Sequence, residues 1–254
     1  EGSVRRSGDV VRIAAELIDG TTGFSRWAES FDRTIKDIFA VQSEIANAVA
    51  SALIKEVAES GSPAHGADTG AAGGTNSVPA FDAYLRGKAL YSLHADEKTY
   101  REALAQFDAA IAADSNYAAA YSARARSLTS IANQFATANQ FDELYGQAEA
   151  AARKAVALAP RFADAQSTLG VVLFQGKLDF KGARQPFEVS RALGPGDANV
   201  LTRFATFCAT VGRFQDAMEA IGRALQLDPL NPAAFNSAGY VHFSARRFAQ
   251  AIPL

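Results

Sequence analysis

The chain has 254 residues, 48% of them hydrophobic and 20% charged, which fits one large domain or a mid-sized domain with a smaller companion. Lysine and arginine number 25 against 27 aspartate and glutamate, so no strong net field exists to collect nucleic acid, anionic lipid or an acidic partner. The single cysteine excludes an internal disulfide and any multi-cysteine zinc site, no apolar run approaches the ~20 residues of a bilayer span, and the opening EGSVRRSGD lacks the apolar core of a signal peptide.

Residues 1–57 open the chain with strand signals. Val11, Ile13, Ala15 and Leu17 form a fully apolar side, while Val10, Arg12, Ala14, Glu16 and Ile18 form a mixed one. That alternation predicts a strand with one strongly buried face. Ser7-Gly8-Asp9 before it and Thr21-Thr22-Gly23 after it are turn chemistry. Phe24, Trp27 and Phe31 mark a further extended segment. Ile35, Ile38, Phe39, Gln42, Ile45, Val49 and Leu53 then recur at helical spacing, with Asp32 as a cap near the start. The expected order is hairpin, strand, helix.

Residues 58–79 are dominated by Gly, Ala and Ser and hold almost no large apolar side chain. Such a stretch cannot offset its ordering entropy, so it reads as a flexible tether spanning roughly 25 Å as a coil. Its Gly-Ala-Ala-Gly-Gly run lacks the Gly-Lys-Ser/Thr ending of a phosphate loop.

Residues 80–254 contain an internal repeat. The small residue of each second helix falls at Ala103, Ala148, Ala183, Ala217 and Ala251, in steps of 45, 35, 34 and 34. The residues closing the second helices, Ser115, Pro160, Pro195 and Pro229, keep the steps 45, 35 and 34. Gly87, Ala125, Gly170, Ala205 and Gly239, inside the first helices, keep 38, 45, 35 and 34. Two antiparallel helices approach closely only where a side chain is small, and proline stops the second helix. Predicted units are 80–117, 118–162, 163–197, 198–231 and a truncated 232–254. The first unit carries extra residues near His94–Thr99, the second a longer insertion around Ala132–Tyr145, and the third one residue near Asp179. The second insertion either lengthens both helices or forms a protruding aromatic loop.

A period of 34 with these markers resembles the tetratricopeptide repeat, and Gly212–Pro229 is close to its consensus. The implied fold is mainly α, a right-handed solenoid of helical hairpins after a small incomplete α+β segment. The first 57 residues resemble the closing half of a TolB-like domain, through Glu1–Arg6, Val11-Arg12-Ile13 with Leu17-Ile18-Asp19, Trp27-Ala28-Glu29 with Phe31-Asp32-Arg33, and Asp37–Gln42 with Glu44-Ile45-Ala46. That domain occurs directly before tetratricopeptide repeats in multidomain bacterial regulators. The resemblance implies a cytoplasmic protein with an output domain upstream, a class III nucleotide cyclase, a winged helix or a kinase. It also implies that the chain is a fragment cut inside one domain and inside one repeat.

Chemistry-bearing residues are sparse. His65, His94 and His242 have no ligand spacing, and Cys208 reads as a small buried hydrophobe. Glu143, Glu149, Glu188, Asp216 and Glu219 sit on second helices, the solvated outer layer of such a solenoid. Arg5, Arg6 and Arg12 make a small cluster, while Arg184, Arg191, Arg203, Arg213 and Arg223 are scattered over different units and make no phosphate stripe. Neither catalytic residues nor a metal or cofactor is expected.

Repeat register places the first helices on the concave side. The expected groove residues are Tyr84, Lys88 and Tyr91 from unit one, Ser122 and Arg126 (with Thr129) from unit two, and Ser167 and Gln175 (with Asp164 and Val171) from unit three. Asn199, Thr202 and Thr206 (with Thr210) follow from unit four, and Asn236 and Tyr240 (with Phe243) from unit five. This neutral polar lining suits an extended peptide backbone. Only Lys88 and Arg126 approach the cation set of chaperone-tail grooves, so a terminal carboxylate is not expected. The expected partner is a protein or peptide, with no nucleic acid and no membrane. The alternative is homo-oligomerisation, in which solenoid and β-edge hold a parent adenylate or guanylate cyclase as a homodimer.

Overall fold

The computed structural model describes residues 2–7, 9–18, 24–34, 44–45, 48–49 and 73–252. The chain divides into two compact units, Glu1–Gly70 and Ala71–Leu254.

The first unit holds an antiparallel sheet in the order β1 (Gly2–Ser7), β2 (Val10–Ile18), β3 (Ser25–Thr34). Ile13 lies opposite Phe31 and Leu17 opposite Trp27, so the apolar side of β2 meets the aromatics of β3 across one face. Val11 and Phe31 are buried on that face, while Arg12 and Glu16 on the other are exposed. Arg12 stands opposite Asp32 and holds its carboxylate with two hydrogen bonds of 2.7 Å. The expected helix over Ile35–Leu53 lies largely outside the described residues, although Glu44-Ile45 and Ala48-Val49 are helical. Glu44 accepts from Arg33 of β3 at 2.6 Å and 3.1 Å.

The second unit is a stack of helical hairpins: α1 (Val78–Ser92) with α2 (Glu97–Ala113), α3 (Ala118–Gln134) with α4 (Ala138–Leu158), α5 (Ala163–Gly176) with α6 (Phe180–Leu193), α7 (Ala198–Thr210) with α8 (Phe214–Leu227), and α9 (Pro232–Ser244) with the short α10 (Phe248–Ala251). Each first helix also contacts the first helix of the next hairpin. Polar caps set the starts. Ser77, Asp96, Asp179, Asp197 and Asn231 each accept from a backbone N–H in the first turn. Pro160, Pro195 and Pro229 each follow a second helix by one residue beyond its cap.

The small residues of the repeat are packing sites. A Cβ on Gly87 would lie 2.6 Å from the Phe107 ring, and one on Gly170 would lie 2.9 Å from the Phe187 ring. Ala103, Ala148, Ala183 and Ala217 are fully buried. Phe187 stacks on Phe207 with 4.7 Å between ring centres, joining the third hairpin to the fourth. Shared interfaces make the core continuous from the second hairpin to the fifth, while the first hairpin packs through two smaller clusters onto α3.

One open alternative is decided and one expectation changes. The insertion in the second unit lengthens both helices, to 17 and 21 residues, and leaves only Phe135–Thr137 as a turn. Tyr145 is fully buried, and its hydroxyl donates to Asn133 at 2.8 Å. The end of the expected tether belongs to the helical unit. The Gly73 carbonyl accepts from the Ala119 N–H at 2.9 Å, the Thr75 hydroxyl donates to Asp114, Ser77 caps α1, and α1 starts at Val78. Backbone and hydroxyl groups hold this stretch, which a reading of missing large side chains overlooks.

Cys208 sits on α7 with no exposure, and burial pushes its thiol up to about 12. The native protein is therefore expected to resist iodoacetamide at pH 8 and to be alkylated only on unfolding. Mass spectrometry with and without urea reads this, and rapid native labelling would contradict the buried placement.

Candidate functional site

The five first helices line one concave groove of about 420 Å³. Tyr91 and, just beyond α1, His94 stand at one end. Arg126, Ser130, Asn133 and Gln134 come from α3, Thr168, Phe174 and Gln175 from α5, Asn199, Thr202, Arg203 and Thr206 from α7, and Ser237 from α9. Helical spacing brings these positions to one face because they recur at three and four residues.

Of the expected groove residues, Tyr91, Arg126, Thr129, Val171, Gln175, Asn199, Thr202 and Thr206 lie in this groove. The others lie elsewhere. The Tyr84 ring packs against Phe107 and Tyr117, with the exposed Lys88 ammonium 5.7 Å from its centre. Ser122 and Ser167 are buried behind the groove wall. Asn236 and Tyr240 line a separate cavity with Leu230 and Phe243, where the Tyr240 and Thr210 hydroxyls are 2.9 Å apart.

Asp164 organises the groove floor. One of its oxygens takes Arg126 from α3 and the Ser122 hydroxyl at 2.6 Å, and the other takes Arg203 from α7 at 3.0 Å. Ser122 also lies 2.9 Å from the Thr168 hydroxyl. A single carboxylate on α5 thus bridges guanidiniums on the helices either side. Burial alone would raise its pKa, but Arg126, Arg203 and the Ser122 hydrogen bond outweigh that and hold it well below the usual carboxylate range. Burial likewise opposes the charge on Arg126, and Asp164 overcomes it.

Arg203 reads in the sequence as one of five scattered arginines. It belongs to a different set once α3, α5 and α7 stand side by side. Aligning the units would expose the signal, since Arg126, Asp164 and Arg203 fall on the inner face of three successive first helices. Arg213 is instead bonded to Glu188 at 2.5 Å and Asp216 at 2.7 Å, and with Arg191 it covers the Phe204 ring.

His94 Nδ1 lies 2.9 Å from the Tyr100 hydroxyl, within an aromatic group that includes Tyr91 and Phe135. Among the described residues no group of three or more His, Cys, Asp or Glu is placed to hold a metal ion, and no helix is long and apolar enough to cross a membrane. The groove offers amides, hydroxyls and guanidinium N–H groups. That is hydrogen-bonding chemistry.

A family model described as tetratricopeptide repeat matches residues 133–198 and 209–254. Over those residues the helical hairpins are tetratricopeptide repeats. The solved structure of PilW, a type IV pilus biogenesis factor, shares the fold of this tetratricopeptide array at 18% identity and a TM-score of 0.52, covering 68% of this chain and 72% of that one. YrrB, described as a TPR protein with an unusual peptide-binding site, is 22% identical with a TM-score of 0.42, covering 68% of this chain and 81% of that one. Putative adenylate cyclase 3 of Rhizobium meliloti (strain 1021) is 55% identical over 53 residues, 21% of this chain. The match spans 9% of the length of that curated relative.

Proposed function

We propose that this chain is a non-catalytic interaction module of a bacterial multidomain signalling regulator, and that its groove holds an extended segment of a partner protein. One observation carries the reading. The Asn199 side-chain amide and the Ser237 hydroxyl make no hydrogen bond among the described residues, and both face the groove. An extended backbone presents N–H and C=O groups in alternation, and an amide and a hydroxyl can answer either. The 53-residue likeness to a protein named as an adenylate cyclase supports a cyclase-type parent, with the TolB-like segment between output domain and repeats.

Selection from a peptide library followed by calorimetry tests the groove. Asn199→Ala with Ser237→Ala is expected to weaken selected peptides by about tenfold while leaving the melting temperature unchanged. Peptides that bind the double variant as tightly as the parent would place recognition elsewhere.

A further inference from the structure

The turn inside each hairpin lies where a first helix hands over to its second, so in a stack of hairpins these turns share one edge. In the last three hairpins that edge is both apolar and basic. Leu178, Phe180, Val211, Phe214 and Phe248 are exposed there, at 67%, 41%, 38%, 39% and 53%. Lys177, Lys181, Arg184, Arg246 and Arg247 are exposed beside them and form no ion pair among the described residues. The nearby carboxylates are occupied. Asp179 accepts from the Gly182 N–H at 2.8 Å, and Asp216 accepts from Arg213 at 2.7 Å. On the opposite edge, the connections between these three hairpins carry Asp197 and Asp228.

The three turns are built alike, the third hairpin's with one extra residue. Each has a residue at positive φ, Leu178 at 51°, Gly212 at 81° and Arg246 at 58°. In each, the following N–H bonds back to a carbonyl of the first helix: Asp179 to Leu173 at 3.0 Å, Arg213 to Cys208 at 2.8 Å and Arg247 to His242 at 2.8 Å. Glycine is the unstrained residue at that position, as in the fourth hairpin. The third and fifth hairpins instead hold a leucine and an arginine there, and both side chains project outward.

We infer that this edge is a peripheral docking surface for an anionic lipid bilayer. Neighbouring repeats set the turns roughly 10 Å apart. Protruding apolar side chains in a row suit a planar, deformable interface, into which they enter at headgroup depth. The lysine and arginine stems lie along them and carry the charges to the phosphates. The near-neutral composition does not oppose this, because in the last three hairpins the charges are sorted by edge. The inference stands apart from the groove reading.

Co-sedimentation of the full chain with vesicles tests it. Binding is expected to vesicles rich in phosphatidylglycerol, to be absent with phosphatidylcholine alone, and to fall as salt rises. A variant carrying Lys177→Glu, Lys181→Glu, Arg246→Glu and Arg247→Glu is expected to lose at least tenfold. Leu178→Gly, which relieves the backbone, is expected to weaken binding several-fold without lowering the melting temperature. Failure to sediment with phosphatidylglycerol vesicles, or equal sedimentation of the charge-reversed variant, overturns the inference. So does charge-dependent binding to poly-glutamate without vesicle binding, which would assign the edge to an acidic protein.

Discussion

Asp164→Asn is expected to lower the stability of the helical unit by about 2–4 kcal/mol at neutral pH. The carboxylate joins α3 to α7 through Arg126 and Arg203, and each of the three side chains is only about a fifth to a quarter exposed. An amide keeps the shape and removes the charge, so two guanidiniums are left facing each other across the groove floor. Ser122→Ala removes one neutral donor to the same oxygen and should cost about 1 kcal/mol. The effect of Asp164 depends on pH in a defined sense. Its folded pKa lies below the unfolded value near 3.9, so its stabilisation is complete above that value and is lost as pH falls towards the folded one. The advantage of the parent over Asp164→Asn should shrink by about 1.4 kcal/mol per pH unit below about pH 4. Urea unfolding of both proteins at pH 7 and pH 3 measures this. Equal midpoints at pH 7 would mean that the bridge is not a structural element.

Gly176→Val is expected to destabilise as strongly. An added Cβ at Gly176 would sit 1.8 Å from the Tyr145 ring, which is fully buried and tied by its hydroxyl to Asn133. The ring cannot retreat without breaking that bond or displacing Phe141, 4.7 Å away between centres. The cost is about 3 kcal/mol, the upper range for overpacking, and a fall in Tm of roughly 6–12 °C. Tyr145→Ala alone opens a cavity and costs about 3–5 kcal/mol. In the Tyr145→Ala background, Gly176→Val fills vacated space and should cost less than in the parent. A double-mutant cycle by thermal unfolding reads the coupling, and strict additivity would show that the two positions do not meet.

The array was legible in the sequence because helix crossings demand small residues at fixed intervals. Gly87, Gly170 and Ala205 mark crossings whether or not their partners are known. β2 was legible for a similar reason, since a strand with one buried face must alternate. The second hairpin was less so: an insertion holding Phe135, Phe141 and Tyr145 has the same composition as loop or helix. Tyr145 settles it by entering the core against Gly176, a residue thirty-one positions later. The groove was legible only in part. Periodicity gives the face of a helix but not its depth, so Asn199 and the buried Ser122 look alike. Arg203 escaped because its role depends on a carboxylate in the preceding unit, Asp164 on α5, and on nothing in its own.

The sequence by itself determined that helical hairpins stack over the later part of the chain, settling to an interval of about 34 residues, because only small residues at such intervals let antiparallel helices close on one another. It also determined the β2 strand and the stops after the second helices. Only the tertiary structure decided which first-helix residues reach the groove, that Asp164 bridges Arg126 and Arg203, and that cations and exposed apolar side chains gather along one edge. Those arrangements are made between units. Their energies come from burial and from charges brought together by stacking, and a linear order of residues carries neither until the hairpins are set side by side.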